Sequence, residues 1–507
     1  MLMRLRGLPV SIQLMLVSSL AMYLPATHAL ITHHHLIARA FFYSGTLFFF
    51  VSSLVALANA SNPRPRRAGR ANLLSMLAVF LILPMMLAVP FYISLPDTSY
   101  FNSWWEMVSS LTTTGGSLYE PTRLAGSLHL WRGLVAWLGG FYMLVMAIAV
   151  LAPMRLGGFE VFFSGGPSGA PKSGAPAAEG GADTSERVAH YATRIAPAYI
   201  AMTGGLWLLL LMAGDTPLTA FIHAMSTLCT SGISPVGGME GSNSGLVGEF
   251  LIFVFLIPAL SRRLWPGGGE LRASDRRRDD PELRLAAVLI LIVPLFLFLR
   301  HWIAALEVKM PTNFIAIFDS IWGSLFTSLS FLTTTGFEST AWQEARNWSG
   351  LGTPGLILAG LAIIGGGVAT TAGGVRLLRV YALLRHGERE LDKLIYPTSV
   401  AGGGAMARKL RRDGAYISWI FFMLFAISIA AVMMLVSLFG LSFEPATILT
   451  IAALSNTGPL AGIAADVPLS WAHLSEPIKA IFALAMVLGR LETLAIIALF
   501  NPEFWRG

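Results

Sequence analysis

Long apolar runs separated by short polar stretches set the pattern of this chain. Ten windows reach or approach the ~20 apolar residues a helix needs to cross a bilayer core. They fall near residues 8–29, 36–60, 73–97, 127–152, 192–213, 245–261, 284–304, 351–368, 413–440 and 476–500. Between the later spans lies a second kind of segment, apolar for only ~12 residues and therefore too short to span. The pattern predicts an all-α polytopic membrane protein: two N-terminal transmembrane helices, then four helix–pore-loop–helix repeats around one central pore. The first window resembles a signal peptide, with Arg4 and Arg6 before it and Thr27-His28-Ala29 after it. Its length and the nine spans that follow favour a retained helix.

The expected organisation is residues 1–68 for the two N-terminal helices, 69–156 for repeat 1 and 157–190 for a flexible linker rich in Gly, Pro and Ala. Repeat 2 follows at 191–268, a cytoplasmic loop at 269–283, repeat 3 at 284–396 and repeat 4 at 397–507.

Composition narrows the class. Of 507 residues, 55% are hydrophobic and only 12% charged, about half the charge of a soluble globular protein. That scarcity excludes both a string of soluble domains and a disordered chain. A single cysteine, Cys229, excludes a disulfide framework. The net charge of +7 is topological and implies no nucleic acid. With the N-terminus inside, segments 1–7, 62–70, 153–194, 262–284, 376–412 and the tail carry 27 Lys and Arg, and the outer loops only Arg123, Lys309 and Arg346. This asymmetry predicts that both termini are cytoplasmic. Arg376, Arg379, Arg385, Arg389 and Lys393 read as part of the same anchoring. His33-His34-His35 lacks a nearby carboxylate or cysteine and reads as a polar loop.

Each short segment ends in a related motif. The four are Thr112-Thr113-Thr114-Gly115, Cys229-Thr230-Ser231-Gly232, Thr333-Thr334-Thr335-Gly336 and Ser455-Asn456-Thr457-Gly458, each preceded by Leu, with glycines 117, 104 and 122 residues apart. Helix packing explains small residues at one or two such places, but not at four equivalent topological positions. Asp215-Thr216-Pro217 and Phe443-Glu444-Pro445 read as capped half-helix starts, with Glu106 and Asp319 also assigned to capping. Half-helices entering from outside turn negative C-terminal dipoles toward the centre. Four returning loops of small hydroxyl residues and glycine then place backbone carbonyls around an axis. That arrangement is a cation filter. Coupled transport needs titratable groups along the path, and few acids are available. No cluster at catalytic spacing supports an intramembrane enzyme.

These motifs, with Trp137-Leu138-Gly139-Gly140, the glycine-rich stretch 365–374 and Leu488-Gly489-Arg490-Leu491-Glu492, make the chain resemble the Trk/Ktr/HKT superfamily of potassium uptake proteins, most closely its TrkH-type bacterial pore subunits. The resemblance spans essentially the whole chain. It implies potassium as the transported ion at the filter residues, no other cofactor in this chain, and a bacterial cytoplasmic (inner) membrane location. It also implies a homodimer with one pore per subunit and a cytoplasmic nucleotide-binding regulatory subunit of TrkA/KtrA type. Serine in place of the first filter glycine is associated with sodium transport in that superfamily; here all four glycines are present. Ser231 and Ile233 depart from the usual pattern of the second repeat, which leaves strict selectivity less fixed than conduction. A K⁺/H⁺ or K⁺/Na⁺ symporter and a less selective K⁺/Na⁺ channel are the competing readings. No nucleotide-binding motif occurs in the chain.

The stretch Gly365-Gly366-Gly367-Val368-Ala369-Thr370-Thr371-Ala372-Gly373-Gly374 has five glycines, each costing about 1 kcal/mol relative to Ala in a helix. An irregular loop within the membrane is expected, tolerated only beside protein or an aqueous path; a tightly packed helix kink is the competing reading. The resemblance implies a gate formed by Gly365, Gly366, Gly367, Thr370, Thr371, Gly373, Gly374 and Arg490. Arg490 lies ~15 Å from the end of an apolar run, a depth that demands a partner. The resemblance points to loop carbonyls as that partner, with an ion pair to another helix as the alternative.

Overall fold

The computed structural model describes residues 9–59, 68–154, 156, 158–159, 161, 184–265, 280–307, 314–343, 346, 355–396, 412–465 and 467–491. Predominantly apolar runs fold into α1 (Val10–Ile31) and α2 (His35–Asn59). Each repeat then contributes a helix, a short pore helix and a second helix. Repeat 1 has α3 (Ala68–Ser94), α4 (Tyr100–Leu111) and α5 (Gly126–Met146), which ends in a wider π turn at Ala147–Leu151. Repeat 2 has α6 (Thr184–Met212), α7 (Pro217–Cys229) and α8 (Gly245–Leu256). Repeat 3 has α9 (Pro281–Glu307), α10 (Phe314–Leu332) and α11 (Gly355–Ile364), followed beyond the glycine stretch by α12 (Leu377–Ile395). Repeat 4 has α13 (Arg412–Leu438), α14 (Phe443–Leu454) and α15 (Glu476–Leu491).

Six described helices are long and apolar enough to cross a membrane: α1, α2, α3, α5, α6 and α13. The window at 245–261 is shorter than its hydropathy implied. Its α-helix stops at Leu256 and a 3₁₀ turn, Ile257–Leu260, carries the chain on, where Pro258 withholds its amide from the helical ladder. The linker expected over 157–190 is helical from Thr184, and Phe159 and Val161 are buried. Large apolar side chains such as Leu20, Phe50, Ile82, Leu291, Met434 and Leu438 are exposed, while serines, threonines and charges are buried. This inverted surface suits a multi-pass protein solvated by lipid.

Packing between repeats closes a ring. The second helix of each repeat lies against the pore helix of the next: α5 on α7, α8 on α10, α11 on α14, and α15 back on α4. The N-terminal pair sits outside this ring. Here α1 packs on α5 and α2 on α3, with His28 Nδ1 2.7 Å from Ser127 Oγ and Phe41 edge-on to Trp131.

The pore helices start in different ways. Ser99 caps α4, its hydroxyl accepting from Asn102 N–H at 3.1 Å. Thr216 is the N-cap residue of α7 and Pro217 its first residue, but Asp215 does not cap. Its Oδ1 accepts instead from Ser242 Oγ and the amides of Asn243 and Ser244 at 2.8–3.1 Å. In repeat 4 the helix begins at Phe443, so Glu444 lies in the first turn, Pro445 takes the third position and Ser442 is the N-cap residue. Glu106 is no cap either: it lies mid-helix, fully buried.

Candidate pore and intramembrane loop

The four motifs share one backbone conformation. Their second residues, Thr113, Thr230, Thr334 and Asn456, are all left-handed, with φ of 55°, 55°, 58° and 57°. For a β-branched threonine this region is strained and persists only where the surroundings over-determine it. The bend turns the next amides back onto the pore helix. Thr114, Ser231, Thr335 and Thr457 N–H donate to the carbonyls of Ser109, Ser226, Ser330 and Ala452 at 2.8–3.0 Å.

Side chains repeat as well. The first and third motif residues pair within each loop: Thr112 with Thr114 at 2.8 Å, Cys229 with Ser231 at 3.2 Å, Thr333 with Thr335 at 3.0 Å and Ser455 with Thr457 at 3.2 Å. Cys229 thus occupies a threonine position, its thiol donating to Ser231 Oγ. All four motifs are essentially buried.

The glycines bring the loops together. A Cβ on Gly115 would overlap the Ser231 carbonyl oxygen, one on Gly232 the Thr335 carbonyl oxygen, one on Gly336 would press on Pro459, and one on Gly458 would overlap the Gly116 backbone. Each loop therefore abuts the next, in the cyclic order of the helices. Gly115, Gly232 and Gly336 have φ of 75°, 66° and 83°; Gly458 does not share this conformation. Its amide donates to Thr114 O at 2.6 Å, and Asn456 Nδ2 donates to Thr114 Oγ1 and Met486 O at 3.0 and 2.9 Å.

Buried carboxylates brace the loops from behind, a role the sequence reading missed. Glu106 accepts from Leu118 N–H at 3.0 Å and pairs with Arg132 at 2.6 Å, the two side chains being 0% and 4% exposed. Glu249, from α8, reaches the third loop. It accepts from Trp322 Nε1, Ser339 Oγ, Thr340 N–H and Thr340 Oγ1 at 2.7–2.8 Å. A lone glutamate in the apolar run 245–256 was the available signal, because a carboxylate at that depth needs donors.

The stretch 365–374 is a non-helical loop, buried throughout. Gly365 and Gly374 are left-handed, as is Ala369, and a Cβ on Gly365 would overlap Gly373 O. The stems pair through Val375 N–H to Ile363 O, Arg376 N–H to Ile364 O and Leu377 N–H to Gly366 O at 2.8–2.9 Å. The loop is tied to the motif region: Gly373 N–H donates to Thr334 Oγ1 at 2.7 Å, and Thr371 Oγ1 to Leu228 O at 3.1 Å. Arg490, 1% exposed, donates Nη1 to Thr371 O at 2.7 Å. Arg376 Nη1 bridges Gly367 O and Ala372 O, and Thr370 Oγ1 donates to Gly367 O at 2.8 Å. From the segment just after repeat 1, Gly158 lies against Val368.

Not all of the basic run after the loop is solvated. Arg376 and Arg379 are buried, the latter 3.6 Å above the Phe421 ring, whereas Arg385 and Lys393 pair with Glu388 and Glu390 in the open. Glu492 and most of 157–183 lie outside the described residues. His33, His34 and His35 are exposed, and no metal-holding group of three or more His, Cys, Asp or Glu occurs among the described residues.

Three comparisons bear on this architecture. The model of a family described as cation transport protein, TrkH, matches residues 283–506. A Trk system potassium uptake protein, TrkH, of Vibrio parahaemolyticus is 26% identical over 434 residues, 83% of each chain. Its Escherichia coli K12 counterpart is 26% identical over 83% of this chain and 82% of its own. The Halomonas elongata protein TrkI is 27% identical over 83% of this chain and 80% of its own. In fold, the crystal structure of the potassium transporter TrkH from Vibrio parahaemolyticus superposes with a TM-score of 0.79 over the full length of both chains, at 24% identity.

Proposed function

We propose that the chain, similar over residues 283–506 to the family described as cation transport protein, TrkH, and along most of its length to Trk potassium uptake proteins, is a member of that family and takes up potassium across a bacterial cytoplasmic membrane. It is a multi-pass membrane transport protein, not an enzyme. The four returning strands form the selectivity filter, with carbonyls near Gly115, Gly232, Gly336 and Gly458 replacing the water of a dehydrated potassium ion. The observation that carries this reading is the recurrence of one left-handed bend at Thr113, Thr230, Thr334 and Asn456 in loops that touch in a closed order. Left-handed backbone held at three threonines is costly, and a filter lined by the loop backbone is the function that would justify it.

The 365–374 loop is the gate. Arg490 latches it through Thr371 O and sets a positive charge beneath a cation path. Opening frees the loop from Thr334 and Leu228, so gate and filter share hydrogen bonds. Both termini are cytoplasmic. The subunit functions as a homodimer with a pore in each copy, and a TrkA/KtrA-type nucleotide-binding subunit supplies regulation. The naming of the relatives as parts of a Trk system supports that partnership.

Passive flux is favoured over symport with H⁺ or Na⁺. Glu106, Asp215 and Glu249 are each engaged by fixed donors, which suits bracing better than proton relay. Rescue of a potassium-uptake-deficient host on low potassium tests uptake, and liposome flux with and without a proton gradient tests coupling. Gly115→Ser is expected to admit sodium; unchanged permeability ratios would remove the filter assignment.

A further inference from the structure

Arg490 is not the only ionisable side chain that grips the intramembrane loop. Glu282, in the first turn of α9 and 6% exposed, accepts the Val368 N–H on Oε1 at 2.8 Å. The preceding amide, Gly367 N–H, donates to Ala259 O at 3.0 Å. Two successive loop amides are thus held by groups from repeat 2 and repeat 3. Asp280 ties those groups together. Its Oδ1 accepts from Glu282 N–H at 3.1 Å, its Oδ2 accepts from Ser261 Oγ at 2.6 Å, and Arg263 Nε lies 3.7 Å away.

The division of labour is chemical. A carbonyl, Thr371 O, meets a guanidinium donor from α15; an amide, Val368 N–H, meets a carboxyl oxygen from α9. Both are buried hydrogen bonds to the loop backbone. A glutamate in a helix's first turn ordinarily serves that helix's own dipole, yet this one reaches 86 residues along the chain. If its carboxylate withdraws, Val368 N–H stays buried without an acceptor as long as the loop remains seated. Leaving the seat relieves that cost.

We propose that Glu282 is a positioning residue for the gate, a second catch through which residues 259–263 and 280–282 hold Gly367 and Val368 in place. The inference rests on the loop being the gate. It makes this patch, on the cytoplasmic side in the proposed topology, the place from which a displacement reaches the loop without passing through Arg490.

The test is rubidium tracer flux into proteoliposomes, normalised to reconstituted protein, alongside amide hydrogen exchange of the loop. The reference is a chain with 365–374 shortened. Glu282→Ala is expected to raise basal flux about tenfold, the shift that losing one buried hydrogen bond implies, and to speed exchange at Val368. Glu282→Gln keeps an acceptor oxygen and is expected to leak less. Glu282→Asp, one methylene shorter, is expected to leak. If the shortened loop leaks and Glu282→Ala does not, the catch is refuted and the gate stands. If neither leaks, the gate reading falls and the catch falls with it. Should Glu282→Ala fail to reconstitute, wild-type flux and exchange in both the Gln and Asp variants overturn the catch.

Discussion

Single charges in this molecule are mostly fixed by what surrounds them. Glu106 and Arg132 form a buried pair whose carboxylate also holds Leu118 N–H, just past the first motif. Removing one partner of such a pair costs about 3–5 kcal/mol, because the other charge stays buried and uncompensated. Glu106→Gln is therefore expected to lower the thermal midpoint in detergent, and Glu106→Gln with Arg132→Met to recover most of it. Equal losses in the single and double variants would contradict the pairing. Glu338 behaves differently. It stands two residues beyond the third motif glycine, where burial and then the Glu240 carboxylate push its pKa up to about 7, against the opposing charge of Arg346. Below that pH it is neutral, above it negative. On the outer side in the proposed topology, it is expected to weaken apparent potassium affinity as external pH falls through about 7. Glu338→Gln should flatten that dependence, which uptake kinetics across external pH will check.

At the level of elements, the glycine loop depends on close backbone approaches. A Cβ on Gly367 would overlap Leu260 O, and one on Gly373 the Ser455 carbonyl oxygen. Gly367→Ala and Gly373→Ala are expected to unseat the loop and raise basal flux, as are shortening 365–374 and Arg490→Ala. Normal expression with flux at or below wild type would count against the gate. The break in this span was legible because five glycines in ten residues defeat helix propensity. The four half-helices were legible because a short apolar segment followed by Thr or Ser and Gly recurs at one topological position. The bends were not, since nothing in a Thr-Thr-Thr run announces a left-handed central residue; neighbouring loops impose it. Local rules also misassigned Asp215 and Glu106 as caps. Their partners, Ser242 to Ser244 and Arg132, lie 26–29 residues away in sequence, and tertiary donors outbid the nearest helix end. Glu249 braces a loop some 90 residues on, beyond any local pattern.

The whole molecule is a ring made from one chain, with the N-terminal helices standing outside it. Because α1 and α2, among the described residues, pack against that ring chiefly on repeat 1, deleting residues 1–59 is expected to leave ion selectivity unchanged, lipid taking the place of the lost apolar contacts. A changed potassium-to-sodium ratio would show that the pair shapes the filter. The four quarters are not equivalent. Three junctions rest on the left-handed Gly115, Gly232 and Gly336. The fourth, between repeat 4 and repeat 1, instead uses Gly458 N–H on Thr114 O, Asn456 on Thr114 Oγ1, and α15 against α4. This junction is a clasp joining the latest-made quarter to the earliest. During synthesis, the first three quarters can enter the membrane while the aperture still lacks a side. On the proposed function, a chain cut short before Asn456 would lack the fourth wall of the filter, and the segment that completes it also carries Arg490. On that reading, the order of synthesis would complete the ion path and its latch together.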